Sequence, residues 1–126
     1  MTYGQSMNLT MVQVAAGFSS LVNGGQYHKP TILSGTIDNE GHFQAAENKS
    51  LRQTVSGNTS SQMRTMLSTA RHSSFLSKSD KPGYEIGGKT GTSEAVVNGL
   101  YTQKETIATY IGYGGGKNGE IGRAHV

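Results

Sequence analysis

The run Gly87-Gly88-Lys89-Thr90-Gly91-Thr92-Ser93-Glu94 constrains this chain more than any other stretch. It joins a lysine, glycines and two threonines, with β-prone residues on either side. Read as a strand, it is a rail. Its backbone groups stay free to pair with an extended ligand, and Lys89 brings one fixed positive charge. The threonine hydroxyls can hold a carboxylate, and glycine lets another backbone approach closely.

The rest of the chain offers a thin core to carry that rail. Of 126 residues, 33% are hydrophobic, 18 are glycine and none is tryptophan. A free-standing domain of this size buries only a modest share of its surface, so the composition suits one part of a larger domain, and marginal stability is expected. The net charge of +3 is mild and its lysines and arginines are scattered. A nucleic-acid footprint is therefore not indicated. With no cysteine there is no disulfide and no thiolate metal site; the compartment stays open on this ground. No signal peptide or membrane span is legible.

Residues 10–23 predict a helix. Met11, Val14, Ala15, Phe18, Leu21 and Val22 recur at three- and four-residue spacing and make one apolar face. Thr10 and Gln13 have capping-box spacing, and Asn23-Gly24-Gly25 supplies a left-handed stop. Residues 31–37 and 42–45 predict a surface hairpin around Asp38-Asn39-Glu40-Gly41, with His42 a solvent-facing turn residue. Residues 47–56 read as irregular. A second helix is expected over 60–71, capped by Thr59 with Gln62, with Met63, Met66 and Leu67 packing in the core. Residues 71–82 read as a solvated loop. Residues 84–93 are the lysine strand, 94–103 a polar turn with Asn98-Gly99 at its tip, and 105–113 the returning strand. On that strand Ile107, Thr109, Ile111 and Tyr113 share one face, with Ala108 and Tyr110 on the other.

Two short patterns mislead. Gly83, four residues, then Gly88-Lys89-Thr90 spells a phosphate loop. That loop needs a buried strand before it and a helix opening at the lysine, and neither is indicated. Gly114-x-Gly116-x-x-Gly119 spells a dinucleotide fingerprint, with too few residues after it for a helix, a second strand or a distant acid.

Lys89-Thr90-Gly91-Thr92 after the double glycine resembles the third signature of the penicillin-binding proteins and serine β-lactamases. Other stretches agree in order and spacing. Tyr3-Gly4-Gln5, Leu9 to Gln13, and Val22-Asn23-Gly24-Gly25 with Lys29-Pro30 resemble the helix leading into the C-terminal half of class B transpeptidase domains, although many relatives have glycine where Ser6 stands. Residues 106–113 resemble the strand after the lysine strand. The resemblance runs from about Tyr3 to Tyr113.

The resemblance implies an α+β (α/β) fold of the β-lactamase/transpeptidase kind, an antiparallel sheet with packed helices. Only the C-terminal portion of that fold is expected, as one partial domain over residues 1–126, with 114–126 an irregular tail. It implies penicillin binding and peptidoglycan D,D-transpeptidation, in which a serine attacks a D-Ala-D-Ala stem peptide and the acyl group passes to a neighbouring amine. Lys89 would then supply positive potential and Thr90 and Thr92 would hold the substrate or β-lactam carboxylate. The Thr92 N–H would form half of an oxyanion hole, and Gly91 would give the ligand room. No cofactor is implied. The implied location is the extracytoplasmic face of a bacterial membrane, with an anchor lying upstream.

The chain carries one of the three catalytic signatures. The residues three places before the lysines are Gln26, Ala46, Phe75, Lys78, Ile86, Tyr101 and Gly114, so Ser-x-x-Lys is absent and the chain alone should not turn over. Ser56-Gly57-Asn58 spells Ser-x-Asn, but it follows the Gly4-Gln5 segment instead of preceding it, and helix capping explains its residue types. Partners would be the N-terminal part of the domain, the stem peptide and β-lactams. The alternatives are a non-catalytic peptide or muropeptide grip and, more remotely, the phosphate-loop nucleotide binder. Alternation along a strand would put Thr90, Thr92 and Glu94 on one face and Lys89 on the other, whereas the resembled site uses lysine and threonines together.

Overall fold

A computed structural model describes residues 9–97, 99–116 and 121–125. The Tyr3-Gly4-Gln5 segment, Ser6, Asn98 and the Lys117-Asn118-Gly119 stretch lie outside them. Helix α1 spans Met11–Val22, with Thr10 as its N-cap. Both arms of the capping box form: the Gln13 N–H donates to Thr10 Oγ1 at 3.2 Å, and the Thr10 N–H donates to Gln13 Oε1 at 2.9 Å. Gly24 and Gly25 follow with φ of +87° and +90°, the left-handed turn that lets the chain leave the helix.

Strand β1 is Gln26–His28 and β4 is Ser50–Gln53, and they pair antiparallel. Between them β2 (Gly35–Ile37) and β3 (Phe43–Ala45) make the expected hairpin, with His42 exposed at its turn beside Asp38. The irregular reading of 47–56 is therefore corrected at β4. Its residues are all exposed, Leu51 among them, and only pairing with β1 makes them a strand. Residues 31–34 stay outside the hairpin.

Helix α2 spans Gly57–His72 and begins earlier than expected. Its cap is Ser56, whose Oγ accepts the Thr59 N–H at 3.1 Å. Thr59 is thus a first-turn residue, and the spelled Ser-x-Asn is a helix cap. Leu67 is buried and Met63 half-buried against the core, but Met66 is 65% exposed, a correction to the expected stripe.

Strands β5 (Tyr84–Val97), β6 (Leu100–Gly116) and β7 (Ile121–His125) form an antiparallel sheet in that order. The turn expected over 94–103 shrinks to its tip, because the strands continue to Val97 and resume at Leu100. The irregular tail is also corrected. Gly114 to Gly116 complete β6, and β7 pairs with it, Gly112 opposite His125 and Tyr113 opposite Ala124. Ladder hydrogen bonds to a neighbouring strand hold a glycine-rich backbone that its own side chains could not.

Helix α2 packs on β5 and α1 packs on α2. The buried apolar residues among those described are Val22, Leu67 and Tyr113, with Phe18, Leu21 and Met63 around them. Of the face expected to hold Ile107, Thr109, Ile111 and Tyr113, Tyr113 is buried, Ile111 is half-buried and Ile107 is 53% exposed.

Tyr113 gives this small core a pH dependence. Its hydroxyl lies 2.9 Å from Glu85 Oε1 and 3.0 Å from the Arg64 carbonyl, with one proton to donate between them. Burial first, then the Glu85 carboxylate, pushes the phenol from 10.0 up to about 12. The folded value lies above the unfolded one. The neutral phenol's contribution is therefore intact below pH 10 and is lost as the pH rises from 10 toward 12. Two pKa units amount to about 2.7 kcal/mol. Urea midpoints across that window should fall more steeply for the chain than for Tyr113→Phe; parallel curves would show that the phenol does not report on folding.

Candidate functional site

The lysine strand is β5, and among the described residues its ladder partner is β6 alone. Register places Lys89 opposite Ile111, Thr90 opposite Tyr110, Gly91 opposite Thr109 and Thr92 opposite Ala108. Lys89, Thr90 and Thr92 are exposed and Gly91 is half-exposed. The four residues singled out in the sequence thus lie together on an outer strand, open to an extended partner.

The double glycine before them answers to two tyrosines on β6. A Cβ at Gly87 would stand 2.7 Å from Tyr113 Cζ. At Gly88 it would stand 2.6 Å from Tyr110 Cζ and 2.7 Å from the Ile111 carbonyl oxygen. These are hard overlaps, and the one on the carbonyl cannot be relieved by a rotamer change. At Gly91 a Cβ would stand 2.6 Å from Thr109 Oγ1. The glycines let the rail lie close on β6.

Lys89 and Thr90 are brought together by the lysine's own length. Its Nζ folds back to donate to the Thr90 carbonyl oxygen at 2.9 Å and stands 3.5 Å from Thr90 Oγ1. A donor to a strand carbonyl lies near the plane of the peptide, so the ammonium comes to Thr90 although its Cβ leaves from the opposite face. Bending of a flexible stem supplies what strand alternation forbids.

Two side-chain networks flank the strand. Arg64 pairs bidentately with Glu85, Nε to Oε1 at 2.9 Å and Nη2 to Oε2. That hydrogen bonding holds the Glu85 carboxyl below its ordinary 4.5 despite partial burial. Arg71 is 7% exposed and donates to Asp80 Oδ1 at 2.5 Å, Tyr110 Oη at 2.8 Å, the Leu76 carbonyl at 3.0 Å and Ser79 Oγ at 2.8 Å. Burial opposes its charge, and Asp80 and Tyr110 more than offset this, so its pKa is raised. The reading of 71–82 as a solvated loop is overturned here: a 3-10 turn over Phe75–Ser79 wraps the guanidinium. Sequence reasoning missed both arginines. Arg64, Leu67 and Arg71 stand at i, i+3 and i+7, so a buried leucine between them was the available signal that they share its face.

Lys89 lies inside a strand and no helix starts at it, which removes the geometry a phosphate loop needs. No group of three or more histidine, cysteine, aspartate or glutamate side chains that could hold a metal occurs among the described residues. No helix among them is long and apolar enough to cross a membrane.

Comparison with known proteins agrees with this fold. Stage V sporulation protein D of Bacillus subtilis (strain 168) is 31% identical over 113 residues, covering 88% of this chain and 18% of that protein. The peptidoglycan D,D-transpeptidase FtsI homolog of Mesostigma viride is 31% identical over 123 residues, covering 86% of this chain and 21% of that protein. The chain therefore spans about a fifth of the length of these relatives. Among solved structures, apo penicillin-binding protein 3 of Mycobacterium tuberculosis superposes with a TM-score of 0.77 at 22% identity, over 94% of this chain and 28% of that one. The apo transpeptidase domain of Burkholderia pseudomallei penicillin-binding protein 3 gives 0.66 at 25% identity, over 90% of this chain and 32% of that one. Residues 1–121 match the family described as penicillin binding protein transpeptidase domain, so the α+β architecture around the Lys89 strand is part of that fold and the chain belongs to that family.

Proposed function

We propose that this chain contributes the substrate-gripping strand of a peptidoglycan D,D-transpeptidase, and that polypeptide outside these residues supplies the serine nucleophile and its lysine. The observation that carries the reading is the Lys89 ammonium drawn to Thr90 on an exposed outer strand. A D-Ala-D-Ala stem peptide can add to that edge as a further strand. The Thr90 and Thr92 hydroxyls then hold its terminal carboxylate, and Gly91 leaves room for its backbone. The serine oxygen attacks the penultimate carbonyl. The Thr92 N–H donates to the developing oxyanion as one of two such donors, with Lys89 adding positive potential. D-alanine leaves, and the acyl group passes to an amine of a neighbouring stem peptide. A β-lactam enters by the same carboxylate contacts and stays as the acyl-enzyme. This chemistry belongs on the extracytoplasmic face of the cell membrane, where such stem peptides are found.

A fluorescent penicillin tests the reading. It is added to this chain alone, and to this chain assembled with the Ser-x-x-Lys segment from the same locus. Each sample is run on a denaturing gel. Label is expected only in the assembled sample, on the segment that carries the serine. A folded assembly that takes no label would leave the chain as a peptide-binding module. Label on this chain by itself would show that it holds a nucleophile of its own.

A further inference from the structure

We propose that Arg71 and Tyr110 form a brace that positions the Lys89–Thr92 strand for acyl transfer, an inference that rests on the reading of that strand given above. Four of the five guanidinium N–H groups of Arg71 are committed, to Asp80, Tyr110, Leu76 and Ser79, so the fork is held from several sides at once. Three of these partners belong to the segment wrapped around the end of α2. The fourth is the Tyr110 hydroxyl on β6, 2.8 Å from Nη1.

Tyr110 connects this anchor to the site in two ways. In register it is the residue opposite Thr90. Its ring also fills the space beside Gly88, immediately before Lys89, where an added Cβ would stand 2.6 Å from Cζ. β5 has β6 as its sole ladder partner among the described residues, so wherever the Tyr110 ring is held, the backbone from Gly88 to Thr90 must follow. None of the four bonds of Arg71 goes to Lys89. It acts through Tyr110, and its effect is on the placement of the Lys89 ammonium. Displacements well under an ångström in such groups change rates by an order of magnitude or more.

The test is a set of double-mutant cycles in the transpeptidase assembled with its Ser-x-x-Lys segment, read as the second-order rate of penicillin acylation. Tyr110→Phe keeps the ring beside Gly88 and removes only the hydroxyl that accepts from Arg71. Arg71→Lys keeps the charge and removes the fork. Each is expected to slow acylation about 10-fold, and the pair together no more than either alone, because both break one link. In a Lys89→Ala background neither should slow the reaction by more than about 2-fold, since the group they aim is gone. A general loosening of the fold would instead reduce the rate equally in both backgrounds. Equal losses in the two backgrounds, or a wild-type rate for Tyr110→Phe, would overturn the brace while leaving the role of Lys89 intact. A Lys89→Ala variant that acylates normally would overturn the site reading and the brace with it.

Discussion

Lys89→Ala should cut penicillin acylation of the assembled transpeptidase by about 10²–10³-fold while leaving its melting temperature nearly unchanged. The size follows from what such a group does. A preorganised charge or donor facing developing negative charge in a water-poor site contributes about 3–4 kcal/mol to the transition state, which is two to three decades in rate. The small stability effect follows from the structure. Lys89 is exposed, and its hydrogen bonds are to Thr90, its own neighbour in sequence, so removing it unpairs nothing buried. Lys89→Arg is the instructive companion. It keeps the charge but replaces a compact, bendable ammonium by a planar fork that fits the fold-back onto the Thr90 carbonyl poorly, so recovery should be partial. Stopped-flow acylation paired with thermal melting decides the matter. A loss below about 3-fold, or a loss matched by a large drop in melting temperature, would mean that Lys89 is not an electrostatic partner of the reaction.

The features that could be read in advance are those written locally. The Thr10 cap lies three residues from the Gln13 that reciprocates it, and the lysine rail is a contiguous run; both emerged as expected. What could not be read depends on distant partners. Ser50 to Gln53 become a strand only because Gln26 to His28 lie beside them. Gly114 to Gly116 extend β6 because neighbouring strands satisfy their backbone. Residues 71–82 have the composition of a solvated loop, and composition cannot reveal that Tyr110 stands ready to accept from Arg71 and close the turn around it. The apposition of Lys89 and Thr90 failed for a different reason. Strand alternation fixes where Cβ atoms point, and a side chain with four rotatable bonds can return its head across the strand. The core itself was legible in its thinness: few apolar residues in sequence, and a buried cluster of Val22, Leu67 and Tyr113 in the fold.

Arg71→Ala should be the most damaging single change to stability, about 3 kcal/mol, enough to leave much of a thinly cored chain unfolded at room temperature. The cost is not the net worth of the ion pair, which desolvation largely cancels. It is the price of stranding its partners. Asp80 has a side chain only 20% exposed, and without Arg71 its Oδ1 loses the donor at 2.5 Å. The Leu76 carbonyl and Ser79 Oγ lose the Arg71 donor in the same change and keep only the bond between them, Ser79 Oγ to the Leu76 carbonyl at 2.8 Å, so the 3-10 turn has no guanidinium to wrap. His72, 3.2 Å from Asp80 Oδ2, could offset part of this when protonated, which keeps the expected loss at the lower end for a broken buried pair. The diagnosis is checked by removing the stranded charge. Arg71→Ala with Asp80→Asn should recover about 1–2 kcal/mol relative to Arg71→Ala alone, because a neutral amide costs much less to leave half-buried than a carboxylate. Urea denaturation of the wild-type chain, both single variants and the double variant measures the coupling directly. A destabilisation below about 1 kcal/mol for Arg71→Ala would show that the pair behaves as a surface salt bridge. A double variant that loses the sum of the singles would show that Asp80 is held by something other than Arg71.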